Sequence, residues 1–258
     1  MPTSTPAPTP KDPPPIDLRH SGSSATVNGA LFTYANQQPA GTGFIDPFLR
    51  VQEKPTEEGY NTDGGFPFND KTPHNYQHSV LISSLATFTI NGVQYYKFML
   101  DSNQAGASFS AHTLALTQLQ IYTTNDPSQT TTDGATFAAA NHLVYNLNVG
   151  TIFNSPPNNA NQGNTLLTYA IGSGIADMYA YIPVSDFIYA TDKYMILYFF
   201  AGNDQFSSSG GFEEWVAFTK TVPDTGSTLL LGSLGLGALF FLRRVIKLPV
   251  KRRSKSPP

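Results

Sequence analysis

Short apolar runs that alternate with polar residues, broken by Gly, Pro, Asn and Asp, recur from Ala25 to Phe218. This is the pattern of strands joined by turns. The clearest case is the pair 87–90 and 93–100, separated by Asn91-Gly92. Both central positions of a type I′ turn need positive φ, which Asn-Gly adopts at little cost, so a hairpin is predicted there. Residues 27–34 predict a first strand whose start is bent by Asn28-Gly29, and 43–52 a second, which Pro47 confines to an edge or a bulge. Residues 53–76 read as a long polar loop carrying Glu57, Glu58, Asp63 and Asp70, and 78–83 as a strand. Within 114–123, Leu114 and Leu116 fall on one parity and Leu119 and Ile121 on the other, which predicts a bulge near Thr117.

Further along, 123–132 and 154–164 read as loops, and 142–148 and 166–171 as strands. Residues 177–183 alternate Met178, Ala180 and Ile182 against Tyr179 and Tyr181, a half-buried pattern. Residues 194–201 are apolar almost throughout, as a strand covered on both faces would be. Residues 212–221 close the series with Trp215 and Phe218, and no helix is expected ahead of Pro223. About ten strands of this kind predict an all-β domain over 25–221, an antiparallel, jelly-roll-like β-sandwich.

Both ends of the chain break the pattern. Residues 1–24 are rich in Pro, Thr and Ser and predict an extended, disordered segment. At the other end, 222–258 divides into three parts. A polar motif, Val222, Pro223, Asp224, Thr225 and Gly226, continues to Thr228. An uncharged stretch, 225–242, has 18 residues. As a helix it would rise ~27 Å, close to the thickness of a bilayer's hydrocarbon core. A basic block follows, Arg243, Arg244, Lys247, Lys251, Arg252, Arg253 and Lys255, with no acid among them. Cations at one end of an apolar span hold that end in the cytoplasm, so a single C-terminal transmembrane helix is predicted, with the rest of the chain outside.

The three-part tail resembles the PEP-CTERM class of sorting signals, and most closely the variant that begins Val-Pro-Asp-Ser-Gly. Val222, Pro223, Asp224 and Gly226 match it, with Thr225 in place of the serine. The resemblance implies an exported protein at the envelope or surface of a Gram-negative-type bacterium that makes exopolysaccharide. Its tail would lie in the inner membrane and cytoplasm until an exosortase processes it. Such signals usually stop soon after the first arginines, whereas this tail runs on for 14 residues past Arg244. Stretches of the body, 41–50, 58–63, 95–104, 177–183 and 211–215, resemble exported domains carrying the same class of tail, which have no settled activity. Residues 1–15 hold seven prolines and no apolar run of signal-peptide length, so a start upstream of Met1 is expected.

Charge sharpens this picture. Ahead of the basic block, eight cations stand against 18 acids, a net of −10, which does not suit nucleic acid or anionic lipid as a partner. There is no cysteine, so packing alone must hold an exported fold together. No Gly-x-Ser-x-Gly elbow, His-Glu-x-x-His, phosphate loop or dinucleotide fingerprint is present, and no catalytic residue is assigned. His74 and His78 sit in a loop beside Pro73, without the helical face that a metal pair needs. Asp101, Asn103, Glu213 and Glu214 are hard oxygen donors of the kind calcium takes, but Asx residues at strand ends commonly close turns, and no cofactor is expected. Tyr34, Tyr60, Tyr95, Tyr96, Tyr122, Tyr179, Tyr181 and Tyr198 are candidates for a sugar-stacking platform, against a core role.

The expected function is that of a non-catalytic, surface-sorted protein, structural or adhesive among extracellular polysaccharide. Its alternative is a carbohydrate-binding module, calcium-dependent or not, or a glycan-active enzyme. Replacing all seven cations from Arg243 to Lys255 with neutral residues should release the domain into the medium, because nothing then halts translocation of a short, Gly-containing span. Fractionation checks this, and an unchanged membrane-bound orientation would mean that the basic block is not the stop signal.

Overall fold

The computed structural model describes residues 13–35, 46–65, 67–69, 76–106, 108–150, 163–170 and 174–220. The chain divides into two units, Met1–Lys220 and Thr221–Pro258. The first is mostly β. In chain order its strands are β1 (Ile16–Asp17), β2 (Ser24–Val27), β3 (Ala30–Tyr34), β4 (Leu49–Val51), β5 (Glu57–Tyr60), β6 (Val80–Leu81), β7 (Thr87–Ile90), β8 (Val93–Asp101), β9 (Thr113–Thr124), β10 (His142–Asn146), β11 (Leu166–Tyr169), β12 (Met178–Pro183), β13 (Tyr194–Ala201) and β14 (Glu213–Ala217). One sheet runs β1-β11-β9-β13-β5, with β10 also on β9 and β6 on β13. The other runs β2-β3-β12-β8-β14-β4, with β7 on β8. Every pairing is antiparallel except β1 on β11.

Residues of both sheets form one buried apolar cluster. Phe98, Leu100, Met178, Ala180, Ile182 and Trp215 come from the second sheet; Leu114, Leu116, Leu119, Ile121, Leu197 and Phe199 come from the first. The rings of Trp215 and Phe199 meet across the two sheets, 5.9 Å between centroids. The bulge predicted at Thr117 is present: Phe200 pairs with Gln118 and Ala201 with Leu116, so one residue is skipped. That extra residue lets leucines of opposite parity reach the same core. The alternation predicted for 177–183 also holds, since Met178, Ala180 and Ile182 are buried and Tyr179 and Tyr181 half-buried.

Strand β13 is covered on both faces. Met195, Leu197, Phe199 and Ala201 enter the main core, while Ile196, Tyr198 and Phe200 join Tyr60, Tyr122 and Phe137 in a second buried cluster. Phe137 belongs to a helix that the sequence pattern did not predict, α1 (Gly134–Ala140). Seven residues are too few for an amphipathic period to register. Its local mark is the cap, where the Asp133 side chain accepts from the Thr136 N–H at 2.8 Å. Phe137 is fully buried, with ring centroids 4.9 Å from Tyr60 and 5.0 Å from Tyr122.

Other expectations need correcting. Asn28-Gly29 does not bend one strand but turns β2 into β3, with φ of 49° and 87°, the same device as Asn91-Gly92 with 50° and 83°. The stretch 53–76 is not all loop: it contains β5, whose Glu57 and Tyr60 are fully buried. Residues 78–83 yield only the two-residue β6 followed by a 3-10 turn, Ile82–Ser84. The N-terminal segment is ordered well before Ala25, for β1 pairs with β11 and Leu18 is fully buried. A short run such as Ile16–Asp17 is hard to separate from its proline-rich flank by composition. Among the described residues no helix is long and apolar enough to cross a membrane; the span expected at 225–242 lies outside them.

Phe137→Ala should cost about 3–5 kcal/mol, since it empties a site lined by Tyr60 and Tyr122. Ile188→Ala, at a residue 70% exposed, should stay within about 0.5 kcal/mol. Chemical denaturation midpoints of the two variants measure the difference.

Candidate functional site

Two regions gather the chemistry. The first is the outward side of the second sheet. On β8, Tyr95 and Lys97 alternate with Tyr96 and Phe98; on β12, Tyr179 and Tyr181 alternate with the core-facing residues. Register places Tyr181 opposite Lys97, Pro183 opposite Tyr95, and Phe88 of β7 opposite Tyr95. Phe218, just past β14, joins them through its N–H, which donates to the Lys97 carbonyl at 3.1 Å. Each of these aromatic residues is half-buried. Their rings meet edge to edge or edge to face: Tyr95 with Tyr181 at 6.3 Å, Tyr179 with Tyr181 at 6.2 Å, Tyr179 with Phe218 at 6.1 Å and Phe88 with Phe218 at 5.8 Å. The Lys97 ammonium lies 3.6 Å from the Tyr179 ring centroid and 4.2 Å from that of Phe218. Each such contact is worth ~0.5–1 kcal/mol at an exposed site. Partial burial lowers the pKa of Lys97.

Of the eight candidate tyrosines, only Tyr95, Tyr179 and Tyr181 belong to this surface. Tyr60, Tyr122 and Tyr198 are core residues. Their hydroxyls donate to the Thr131 carbonyl, to Gln120 Oε1 and to Glu58 Oε1 respectively. Tyr96 packs on Phe187 at 4.8 Å against the main core, and Tyr34 shares the parity of buried Phe32. The period-two pattern alone separates Tyr95 from Tyr96, but it has no way to tell an outward face left open from one covered by a helix.

The second region is a set of buried acids. Asp101, Glu213 and Glu214 were candidates from the sequence; Glu57 and Asp177 join them and were missed, the first because it stood in an apparent loop. All five are at most 3% exposed. Asp177, Asp101 and Glu214 stand at one level on neighbouring strands, with Glu214 opposite Asp101 and the Asp177 N–H on the Leu100 carbonyl. Asp177 Oδ2 accepts from the Ser102 N–H at 2.6 Å and the Ser102 hydroxyl at 2.8 Å. Asp101 Oδ2 accepts from the Gly174 N–H at 3.1 Å, and Glu214 lies 3.6 Å from Arg50. Glu57 and Glu213 come from facing sheets and meet in the interior. Gly211, two residues ahead of Glu213, has to be glycine, because a Cβ there would overlap the Asn103 carbonyl.

Burial sets the protonation of these groups. It pushes Asp101 up to about 7, with the charges of Glu214 and Glu213 adding to the rise, and it holds Asp177 well above the carboxylate range. Burial, and then the carboxyl facing it, holds Glu57 far above its ordinary value, and burial also raises Glu213. The histidines take other roles. His142 Nδ1 lies 2.7 Å from Asp192, whose carboxylate also accepts from Thr123 at 2.7 Å, while His78 Nδ1 lies 2.9 Å from the Ser79 carbonyl. His74 falls outside the described residues, as do Val222, Pro223, Asp224, Thr225, Gly226 and the basic block.

A carboxyl whose pKa is raised by folding stabilises the native state while both states hold the proton, and that stability is lost as pH climbs to the folded value. In buffer free of divalent cations, the melting temperature should therefore fall from about pH 4 upward. Asp101→Asn should flatten the part between about pH 4 and about 7, removing on the order of 4 kcal/mol of the loss. Thermal scans across pH check both slopes.

Residues 221–246 match the VPDSG-CTERM motif, a PEP-CTERM-like variant of the C-terminal sorting signal. A signal of this class implies a dedicated processing enzyme, association with a membrane and an exported, envelope-located protein. No curated protein and no solved structure matches the chain.

Proposed function

We propose that a chain ending in this sorting signal displays a non-catalytic β-sandwich at the cell surface, where it adheres to extracellular polysaccharide. The signal would insert 225–242 as a single span, with Arg243 and the following cations inside, until an exosortase-type enzyme acts at Val222–Gly226. The observation that carries the adhesive reading is the half-buried aromatic surface of Tyr95, Tyr179, Tyr181, Phe88 and Phe218 around Lys97. Tyrosine offers a flat apolar face to a sugar ring and a hydroxyl to its rim. An ammonium among those rings suits a polymer with carboxylate substituents, and it is set in a domain otherwise rich in acids.

The glycan-active alternative finds less support. A glycosidase needs two carboxyl groups flanking a bound sugar, roughly 5–9.5 Å apart. Here Glu57 and Glu213 are fully buried between the sheets, so a polysaccharide has no route to them.

Co-sedimentation with a purified uronate-containing exopolysaccharide tests this reading. Wild type should bind, and Tyr181→Ala and Lys97→Ala should each weaken binding by about tenfold, ~1.4 kcal/mol, with circular dichroism unchanged. Unchanged binding in both variants would remove the aromatic surface from the account. Release of new reducing ends would end the non-catalytic reading.

A further inference from the structure

The pair Glu57 and Glu213 poses a problem that the fold by itself does not solve. Glu57 projects inward from β5 of the first sheet, two residues before Gly59, where a Cβ would come within 2.6 Å of Val51. Glu213 projects inward from β14 of the second, two residues before Trp215. Both side chains are 0% exposed. Glu213 Oε1 accepts from Gln104 Nε2 at 2.6 Å, and Glu57 Oε1 is in contact with the Ser208 hydroxyl. Oε2 of Glu57 and Oε2 of Glu213 are buried with no hydrogen-bond donor among the described residues, and the two carboxyl groups face each other. Two carboxylates are acceptors only, so the contact between them requires either a proton or a cation.

The surroundings deepen the deficit of positive charge. Asp101 and Asp177 are close enough for Glu213 to act on both, and Glu214 acts on Asp101. Asp101 Oδ1 is another buried oxygen without a donor. Arg50, beside Glu214, offsets one charge of the five carboxyls. Each remaining carboxyl must keep a proton or share a cation, and a cation that binds the pair displaces the proton that burial otherwise favours.

We propose that Glu57 and Glu213 bind a divalent cation of the calcium class, which ties the two sheets together at this end of the core. The donor set is two carboxylates, able to bind through both oxygens, with the Ser208 hydroxyl beside them. Calcium takes six to eight oxygen ligands in flexible geometry, including carbonyls and water, whereas softer metals prefer nitrogen or sulfur. Among the described residues no three Asp, Glu, His or Cys side chains are grouped to hold a metal ion, so the site is built on two acids and neutral oxygens. The turn-closing role expected of Asp101 from its place at a strand end is incomplete here, because it leaves Asp101 Oδ1 unanswered. The inference is independent of the polysaccharide reading, which concerns the opposite surface of the second sheet.

The test uses the full chain in mild non-ionic detergent at neutral pH. Saturating CaCl2 should raise the melting temperature over that in EGTA by roughly 5–10 °C. NaCl of equal ionic strength should not, and titration calorimetry should give one calcium per chain. Glu57→Gln and Glu213→Gln keep the shape of a protonated carboxyl; each should abolish the calcium response. If wild type shows neither heat nor a calcium-specific shift, the pair shares a proton and the proposal is overturned. A calcium response that survives in Glu213→Gln places the site elsewhere and overturns it as well. Should a variant fail to fold, the wild-type calorimetry alone decides.

Discussion

Strands β9 and β13 lie at the centre of the first sheet and are buried on both faces, and this double burial is the constraint that the rest of the domain meets. Every position of β9 is buried, as are seven of the eight in β13. One face is closed by the second sheet through Trp215, Phe98 and Leu100. The other would expose Ile196, Tyr198 and Phe200 without a cover, and the short helix α1 supplies it through Phe137, with Phe68 packed alongside. The bulge at Thr117 follows from the same demand, because a 12-residue strand of fixed parity would turn Leu119 and Ile121 away from the core that holds Leu114 and Leu116.

The outward face of the second sheet is covered only in part: Met99, Ala176 and Ala35 are buried there in a small cluster, and Asp101, Asp177 and Glu214 are buried beside it. Among the described residues no helix lies on the rest of that side, and Tyr95, Tyr179, Tyr181, Phe88 and Phe218 manage their partial exposure through ring-to-ring contact and the central Lys97. Tyrosine and lysine suit such a position because each combines apolar area with a polar end. Strand parity sorts the chemistry in turn: Asp101, Asp177 and Glu214 share the outward side with the half-buried aromatic residues, whereas Glu57 and Glu213 lie between the sheets, where there is room only for a proton or a small ion.

The acids show how burial turns ordinary residues into unusual ones. Glu57 and Glu58 are adjacent in sequence, but their side chains point to opposite faces of β5. Glu58 takes a hydrogen bond from Tyr198 at 2.7 Å, whereas Glu57 faces another carboxyl between the sheets. A buried group of this kind is tolerated only where something restores its lost solvation. Ser208, Gln104 and the loop held close by Gly211 restore part of it.

Local chemistry was legible in the sequence wherever one residue type answers one local need. Asn91-Gly92 announced its turn through positive φ, the parity switch around Thr117 announced the bulge, and the alternation at 177–183 separated Met178 from Tyr179 before any fold was known. The C-terminal signal was equally plain, since motif, apolar run and cations follow one another without a gap. What depended on distant partners was not legible. Ile16–Asp17 is a strand only because Leu166–Tyr169 lies beside it, and α1 is a lid only because β13 needs one. The acidic end is assembled from 57, 101, 177 and 213–214, whose approach is set by strand order and register. Hydrophobic periodicity records which face of an element is buried, but not what it is buried against, and that second fact belongs to the tertiary structure.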